Sequence, residues 1–129
     1  MPPTIITPDN HEHWLKLRAE DITSTEVSAL FGCSPYATRF ELYHVKSGNA
    51  EVGFADNERM AWGRELEAVI ARRTAEKLGL KVTHMPEYYR HATVPRMGSS
   101  FDYSIAETAG IDVNGTIIPT DGPGILECK

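Results

Sequence analysis

The sequence predicts an α+β fold, with helices in its first half and strands in its second. All the helices that the sequence predicts, with their start and stop signals, lie before residue 80. Beyond that point, aromatic and β-branched residues alternate partially with polar ones, and turn signals separate the runs. We therefore expect N-terminal helices packed on a mostly antiparallel or mixed β-sheet.

The first two helices are predicted from their start and stop signals. A proline at the first helical position, preceded by Thr7, predicts a helix over about residues 8–18. Thr23 and Glu26 have the spacing of a capping box, and the short helix that they open is expected to end at Gly32.

The third and fourth helices follow the same logic. Thr38 and Glu41 repeat the capping box and begin a helix that ends at residues 47–48. A longer helix is predicted over residues 56–78, with Gly79 as its stop. Its apolar positions follow the helical period and predict a stripe that faces the core: Trp62, Leu66, Val69, Ile70 and Leu78.

Strand signals fill the second half of the chain. Aromatic and β-branched residues predict strands over 80–91 and 97–106. The Asn-Gly pair at 114–115, between apolar flanks, is typical of a tight hairpin. A turn at 121–124 then leads into a last strand over 125–129.

Length and composition indicate one folded domain over residues 1–129. A net charge of -5 argues against binding nucleic acid through a bulk positive field, but not against carboxylates gathered around metal ions beside a local basic stripe. Cys33 and Cys128 have no spacing typical of a zinc site or a disulfide framework, which favours a reducing, cytoplasmic setting. No apolar run approaches the length of a membrane span.

Three residues near the chain's end suggest chemistry. Strand alternation places Glu127 and Lys129 on one face of the last strand, and Asp102 on one face with Ser100 and Ser104. If the two strands are neighbours, both carboxylates converge on one cation, and with a main-chain carbonyl they suit Mg²⁺ or Mn²⁺. The lysine amine would then orient a water. Taken alone, the pattern is common, and an exposed strand with an ion pair is the simpler interpretation.

Small residues suggest close approach at two places. Residues 98–100 are small and precede Asp102, as a substrate backbone passing nearby would require. Gly63 lies within the long helix, at a cost of about 1 kcal/mol relative to alanine, and suggests close packing or an approaching ligand. Glu67 continues the stripe of Gly63 and is the candidate third acid, with Glu65 on a different helix face as the alternative.

A second candidate site lies in the first half of the chain. Arg18 precedes a hydroxyl-rich helix start that includes Thr23 and Thr25. Free N–H groups, hydroxyls and a guanidinium together predict a phosphate site. The alternative is a surface arginine and an early-turn hydroxyl.

Taken in order, these segments resemble the phage lambda exonuclease/YqaJ-type viral recombinase group of the PD-(D/E)xK nuclease superfamily. The resemblance covers nearly the whole chain, from Trp14 to Lys129. It is carried by Arg18 with residues 22–27, by residues 31–36, by Gly63 with Glu67, and by residues 100–102 and 127–129.

The resemblance implies a restriction-endonuclease-like core with a metal-dependent site. Asp102 and Glu127 would be metal ligands, and the main-chain carbonyl of Cys128 would complete the first metal site. Lys129 would be the catalytic lysine that positions or activates the hydrolytic water. Glu67 would reach a second metal or its water shell.

The resemblance also implies a substrate and partners. Arg18 and Thr25 match positions that anchor the 5′-phosphate end of the digested strand. The chain would be a Mg²⁺-dependent deoxyribonuclease, an exonuclease that degrades one strand of linear double-stranded DNA in the 5′→3′ direction. It would work beside a single-strand annealing recombinase, as a homo-oligomer such as a ring-shaped trimer, in the cytoplasm of a bacterial or phage-infected cell.

Two departures from the family pattern keep alternatives open. Phe101 stands where the motif has proline, and the chain stops at Lys129, where the family fold continues with a helix and further strands. The second departure predicts a core truncated at its C-terminus. A structure-specific endonuclease with the same site, or a catalytically incomplete DNA-binding remnant, are the alternatives.

Overall fold

The computed structural model describes residues 1–50 and 57–128, and it shows an α+β chain with antiparallel sheets. The described residues divide into two compact units. Residues 1–50 and 87–100 form the first unit, and residues 57–86 and 101–128 form the second. Within these ranges, no helix combines the length and the apolar character needed to cross a bilayer.

The described residues form four helices and eight strands. The helices are α1 (His11–Glu20), α2 (Val27–Leu30), α3 (Arg39–Lys46) and α4 (Glu58–Leu78). The strands are β1 (Thr4–Ile6), β2 (Val82–His84), β3 (Tyr88–Arg90), β4 (Gly98–Ser100), β5 (Tyr103–Ile105), β6 (Gly110–Val113), β7 (Thr116–Pro119) and β8 (Gly124–Leu126).

The first unit contains a three-stranded antiparallel sheet in the order β1-β3-β4. Thr4 pairs with Arg90, and Tyr88 pairs with Ser100. The sequence prediction missed β1, because so short a run carries no readable period and its partner β3 lies far along the chain.

The second unit contains the antiparallel sheet β2-β5-β8 and the hairpin β6-β7. In the sheet, Val82 pairs with Ile105 and Tyr103 pairs with Leu126. The hairpin is confirmed where it was predicted. Asn114 and Gly115 both have positive φ, 54° and 84°, as the type I′ turn demands.

Two helix boundaries agree with their sequence signals. The capping box of α3 is present in full: the Thr38 hydroxyl accepts from the N–H of Glu41, and the Glu41 carboxylate accepts from the N–H of Thr38. Gly79 ends α4 in the left-handed conformation, with φ of 65°. At the start of α4, the Asn57 side chain accepts from the N–H of Met60, whereas Asp56, the predicted start, lies outside the described residues.

The other two helices begin later than predicted. Thr7 and Pro8 do not begin α1, because Asn10 caps it, its side chain accepting from the N–H of His13 at 2.8 Å. Likewise, α2 proper begins at Val27, after the turn that Thr23 opens. A helix begins where a side chain accepts hydrogen bonds from the first free N–H groups of the helix. The upstream proline offers no such acceptor, so it does not set the start of the helix.

The long predicted strands are wrong in their extent. Residues 80–91 form β2 and β3, and residues 97–106 form β4 and β5, and in each case the two strands belong to different sheets. Pro86 lies in the first break and has no N–H to offer a strand partner. The predicted strand 125–129 likewise ends at Leu126.

The predicted core-facing stripe of α4 is also wrong. Trp62, Leu66, Val69 and Ile70 are 40–58% exposed, and the buried residue of α4 is Ala71. The helix contacts β2 and β6. Periodicity identifies an apolar face, but the small side chains decide how closely a helix packs on strands.

Gly98 is required by packing inside the first unit rather than by a passing substrate. A Cβ atom there would overlap the Tyr88 hydroxyl oxygen and would lie 2.7 Å from Oδ2 of Asp21. Tyr88 is fully buried. At Gly63, in contrast, a Cβ atom would meet no described atom within 4 Å, so the expected close packing is absent there.

We expect Gly98→Ala to lower the free energy of unfolding by about 1 to 3 kcal/mol, because the added methyl must displace buried, hydrogen-bonded groups. Gly63→Ala is the matched control. It should raise stability by roughly 0.5 to 1 kcal/mol, since alanine favours the helix and has room. Urea unfolding of both variants measures this, and equal effects of the same sign would contradict the packing argument.

Candidate functional site

The predicted site residues divide between the two units. Arg18 and Thr25 lie in the first unit, whereas Glu67, Asp102, Glu127 and Cys128 lie in the second. Lys129, the predicted catalytic lysine, lies outside the described residues.

In the second unit, Asp102 is tied to the segment that follows β8. The N–H of Cys128 donates to Oδ2 of Asp102 at 2.7 Å, and the Asp102 carbonyl accepts from the N–H of Met85 at 3.0 Å. Because β5 pairs with β8 beside these contacts, the prediction that the two segments are neighbours is confirmed. The predicted alternation with Ser100 and Ser104 is not, since Asp102 lies between two strands.

Glu67 reaches the same group from α4. Burial raises the pKa of its carboxyl, and the negative charges of Asp102 and Glu127 raise it further, while His84 acts in the opposite direction. Charges influence one another in this way only at short range. Glu67 therefore responds to the charges of Asp102 and Glu127, whereas Glu65 is exposed.

Neighbouring side chains respond to the same negative charge. Burial raises the pKa of the Cys128 thiol, and the charges of Asp102, Glu67 and Glu127 add to the effect. His84 pairs with Tyr103 across β2 and β5, and their rings lie edge to face with centroids 5.5 Å apart. The spacing of His84 in the sequence gives no signal for this position, because only the β2–β5 register brings it beside Tyr103.

The donor set suits a hard divalent cation in its chemistry. Asp102, Glu127 and Glu67 offer carboxylate oxygens, the ligands that such a cation prefers, and the negative charges of Asp102 and Glu127 raise the pKa of Glu67. Within the described residues, no three His, Cys, Asp or Glu side chains are grouped closely enough to hold a metal. A cation here would therefore need main-chain or water oxygens as well.

In the first unit, the predicted partners of Arg18 are assembled around it. Its Nη2 donates to the hydroxyl of Thr25 at 3.0 Å and to that of Thr23 at 3.4 Å. The guanidinium carbon lies 4.7 Å from the centre of the Trp14 ring, within the range of a cation–π contact.

One N–H group of the segment predicted to bind phosphate already has a partner. The N–H of Thr23 is not free, because it donates to the Glu26 carboxylate at 3.0 Å. Glu26 is itself paired with Lys46 at 2.8 Å. Arg18 and the exposed Thr25 remain the candidate side chains for binding an anion in this segment.

A buried carboxylate lies between α1 and this segment. Asp21 is 2% exposed, and its Oδ2 accepts from the Tyr88 hydroxyl at 3.1 Å and from Nε of Arg90 at 2.7 Å. Burial, and then the Asp21 charge, raise the pKa of Tyr88 well above its ordinary value. Sequence reasoning missed Asp21, because its partners lie on a strand remote in sequence.

Comparison with known proteins identifies a matching family of domains. A family model described as YqaJ-like viral recombinase domain matches residues 13–129. The uncharacterized protein YqaJ of Bacillus subtilis (strain 168) is 28% identical over 82 residues, which are 64% of this chain and 26% of that protein. The chain thus matches about a quarter of the length of this curated relative. No solved structure matches the chain.

We expect Glu67→Gln to raise the melting temperature of the metal-free protein at neutral pH. A raised carboxyl pKa means that the folded state binds the proton more tightly, so ionisation costs stability at pH values above that pKa. The gain should vanish below about pH 4, where the carboxyl is protonated in both states. Thermal unfolding in a chelator measures it, with Glu65→Gln as control, and a loss of stability at neutral pH would contradict the argument.

Proposed function

The chain belongs to the family of YqaJ-like viral recombinase domains, and from that premise we propose that it is a metal-dependent DNA exonuclease of phage-type recombination. It hydrolyses phosphodiester bonds of linear double-stranded DNA, in the 5′→3′ direction. Its α+β fold is the PD-(D/E)xK core. The observation that carries the proposal is the acidic group in which Asp102 binds the Cys128 N–H and acts electrostatically on Glu67 together with Glu127.

The acidic residues would hold Mg²⁺ or Mn²⁺. Asp102, Glu127 and the main-chain carbonyl of Cys128 form the first site, and Glu67 serves a second ion or its water shell. A bound cation neutralises phosphate charge and lowers the pKa of water. Burial keeps the Cys128 thiol protonated at neutral pH, which leaves its carbonyl as the donor from this residue.

The other residues would orient the reactants. Lys129 holds the attacking water in line with the scissile phosphate. Arg18 and Thr25 bind the 5′-phosphate at the end of the digested strand, since a guanidinium and a hydroxyl suit a phosphate dianion. The partner protein is a single-strand annealing recombinase, and the assembly is a homo-oligomeric ring, a trimer.

We expect Asp102→Asn and Lys129→Ala each to slow digestion of 5′-phosphorylated linear duplex DNA in Mg²⁺ by roughly 10²- to 10⁴-fold. The exposed lysine of α4, in Lys77→Ala, is the matched control and should leave the rate unchanged.

Two outcomes would replace the proposal. Cleavage of covalently closed circular DNA by the wild type would favour an endonuclease with the same site. A calorimetric titration that detects no Mg²⁺ or Mn²⁺ binding would favour a DNA-binding remnant.

Substitution of Arg18 or Thr25 should weaken the preference for DNA ends that carry a 5′-phosphate. We expect Arg18→Ala to reduce the preference for 5′-phosphate over 5′-hydroxyl ends by roughly tenfold to a hundredfold, because a charge-assisted hydrogen bond is lost. Thr25→Val should reduce it less. Digestion rates on the two duplexes measure the preference, and Arg72→Ala on the exposed face of α4 is the control. An unchanged preference in Arg18→Ala would remove Arg18 from the site.

A further inference from the structure

A buried lysine, Lys46, contacts the segment that carries Arg18 and Glu26. The side chain of Lys46, the last residue of α3, is only 7% exposed. Its Nζ donates to Oε1 of Glu26 at 2.8 Å and to the main-chain carbonyl of Arg18 at 2.7 Å. Lysine is rarely buried unless it is paired, so the two contacts explain its position.

These contacts belong to a closed ring of hydrogen bonds. The second carboxylate oxygen of Glu26, Oε2, accepts from both the N–H and the hydroxyl of Thr23 at 3.0 Å. The Thr23 hydroxyl in turn accepts from the Arg18 guanidinium at 3.4 Å. Lys46 thus holds the backbone of Arg18 directly, and its side chain through Glu26 and Thr23.

Because each hydroxyl has one hydrogen, the donor and the acceptor of every hydrogen bond in the ring can be assigned. The Thr23 hydroxyl has one hydrogen and donates it to Glu26, so Thr25 is the donor in the Thr23–Thr25 contact of 3.0 Å. Both hydroxyl oxygens therefore accept from Nη2 of Arg18. The Nε and Nη1 donors of Arg18 have no partner among the described residues, and the Trp14 ring lies against the guanidinium. Those donors remain for an anion.

Lys46 also neutralises the negative charge of Glu26 near the proposed phosphate site. The Glu26 carboxylate lies one hydroxyl away from Thr25 and, if uncompensated, would repel a phosphate held by Arg18 and Thr25. The ion pair of 2.8 Å with Lys46 neutralises that charge. A half-buried carboxylate beside an anion site is tolerable only when it is paired in this way.

The backbone of Lys46 is itself fixed. Arg96 donates from Nη2 to the Lys46 carbonyl at 3.3 Å and from Nε to the Glu20 carbonyl at 2.8 Å. One guanidinium thereby joins the C-terminal ends of α1 and α3. Arg96 has a φ of 60°, an uncommon conformation for a residue with a side chain, which these contacts and its main-chain bond to Ile22 maintain.

We infer that Lys46 is a positioning residue of the phosphate site: through Glu26 and Thr23 it orients the Arg18 guanidinium and neutralises the carboxylate beside it, without touching the substrate. The inference rests on the proposed function in one respect, that the anion is the 5′-phosphate of DNA. The orientation of Arg18 can be measured separately from that function.

The test compares Lys46→Met, Glu26→Gln and the double variant, with Lys16→Met on the exposed face of α1 as matched control. Lys46→Met should lower the preference for 5′-phosphate over 5′-hydroxyl duplex roughly tenfold, and leave digestion of the 5′-hydroxyl duplex near the wild-type rate. The double variant should recover part of the preference, because no uncompensated carboxylate remains. Lys46→Arg, which keeps the charge, should recover it as well.

A second measurement follows Arg18 directly. The chain has two tryptophans, so in a Trp62→Phe background the emission comes from Trp14, which lies against the Arg18 guanidinium. Lys46→Met should shift this emission or change its intensity, whereas Lys16→Met should not. This measurement needs neither DNA nor metal.

The possible results distinguish the positioning role of Lys46 from the proposed recognition of the 5′-phosphate. If Lys46→Met lowers the melting temperature and slows both duplexes equally, with the preference and the Trp14 emission unchanged, Lys46 is only structural and the inference is overturned. If the wild type shows no preference for 5′-phosphate, the proposed end recognition fails. The inference then depends on Trp14 emission alone, and unchanged emission in Lys46→Met overturns it.

Discussion

The carboxylate of Asp21 is almost fully buried and accepts hydrogen bonds from the Tyr88 hydroxyl and the Arg90 guanidinium. These bonds join the end of α1 to the β1-β3-β4 sheet, and they leave no room for a side chain at Gly98. Within the described residues, no buried side-chain nitrogen or oxygen lacks a partner. Because the apolar core is small, this pairing of buried polar groups is the constraint on which the arrangement of the first unit depends.

The two units differ in how their carboxylates are paired with cationic side chains. In the first, buried or half-buried charges are matched, Asp21 by Arg90 and Glu26 by Lys46. In the second, burial and the negative charges of Asp102 and Glu127 raise the pKa of Glu67. Carboxylates gathered at a cost to stability are typical of functional sites. The contrast supports assigning hydrolysis to the acidic group and phosphate binding to the matched network around Arg18.

The family match indicates the class of protein, whereas local contacts indicate what each residue could do. The match to the viral recombinase domain spans residues 13–129, whereas the curated relative is matched over about a quarter of its length and is itself uncharacterized. The proposed reaction therefore rests on individual residues and their contacts. Asp102 contributes a carboxylate that accepts from the Cys128 N–H, and Arg18 contributes a guanidinium whose Nη2 donates to Thr23 and Thr25. Each proposed role is supported by contacts within one unit.

Local signals in the sequence determined the α+β class, the capping box at Thr38, the stop at Gly79 and the turn at Asn114, because each depends on residues adjacent in the chain. Sequence order also brought Arg18 and Thr25 together as candidates. Only the tertiary structure decided that α4 buries Ala71 and leaves Trp62 exposed, that Asp102 lies between two strands, and that Asp21 and Lys46 support the Arg18 segment. Those features depend on contacts between residues far apart in sequence, where burial and pairing outweigh local periodicity.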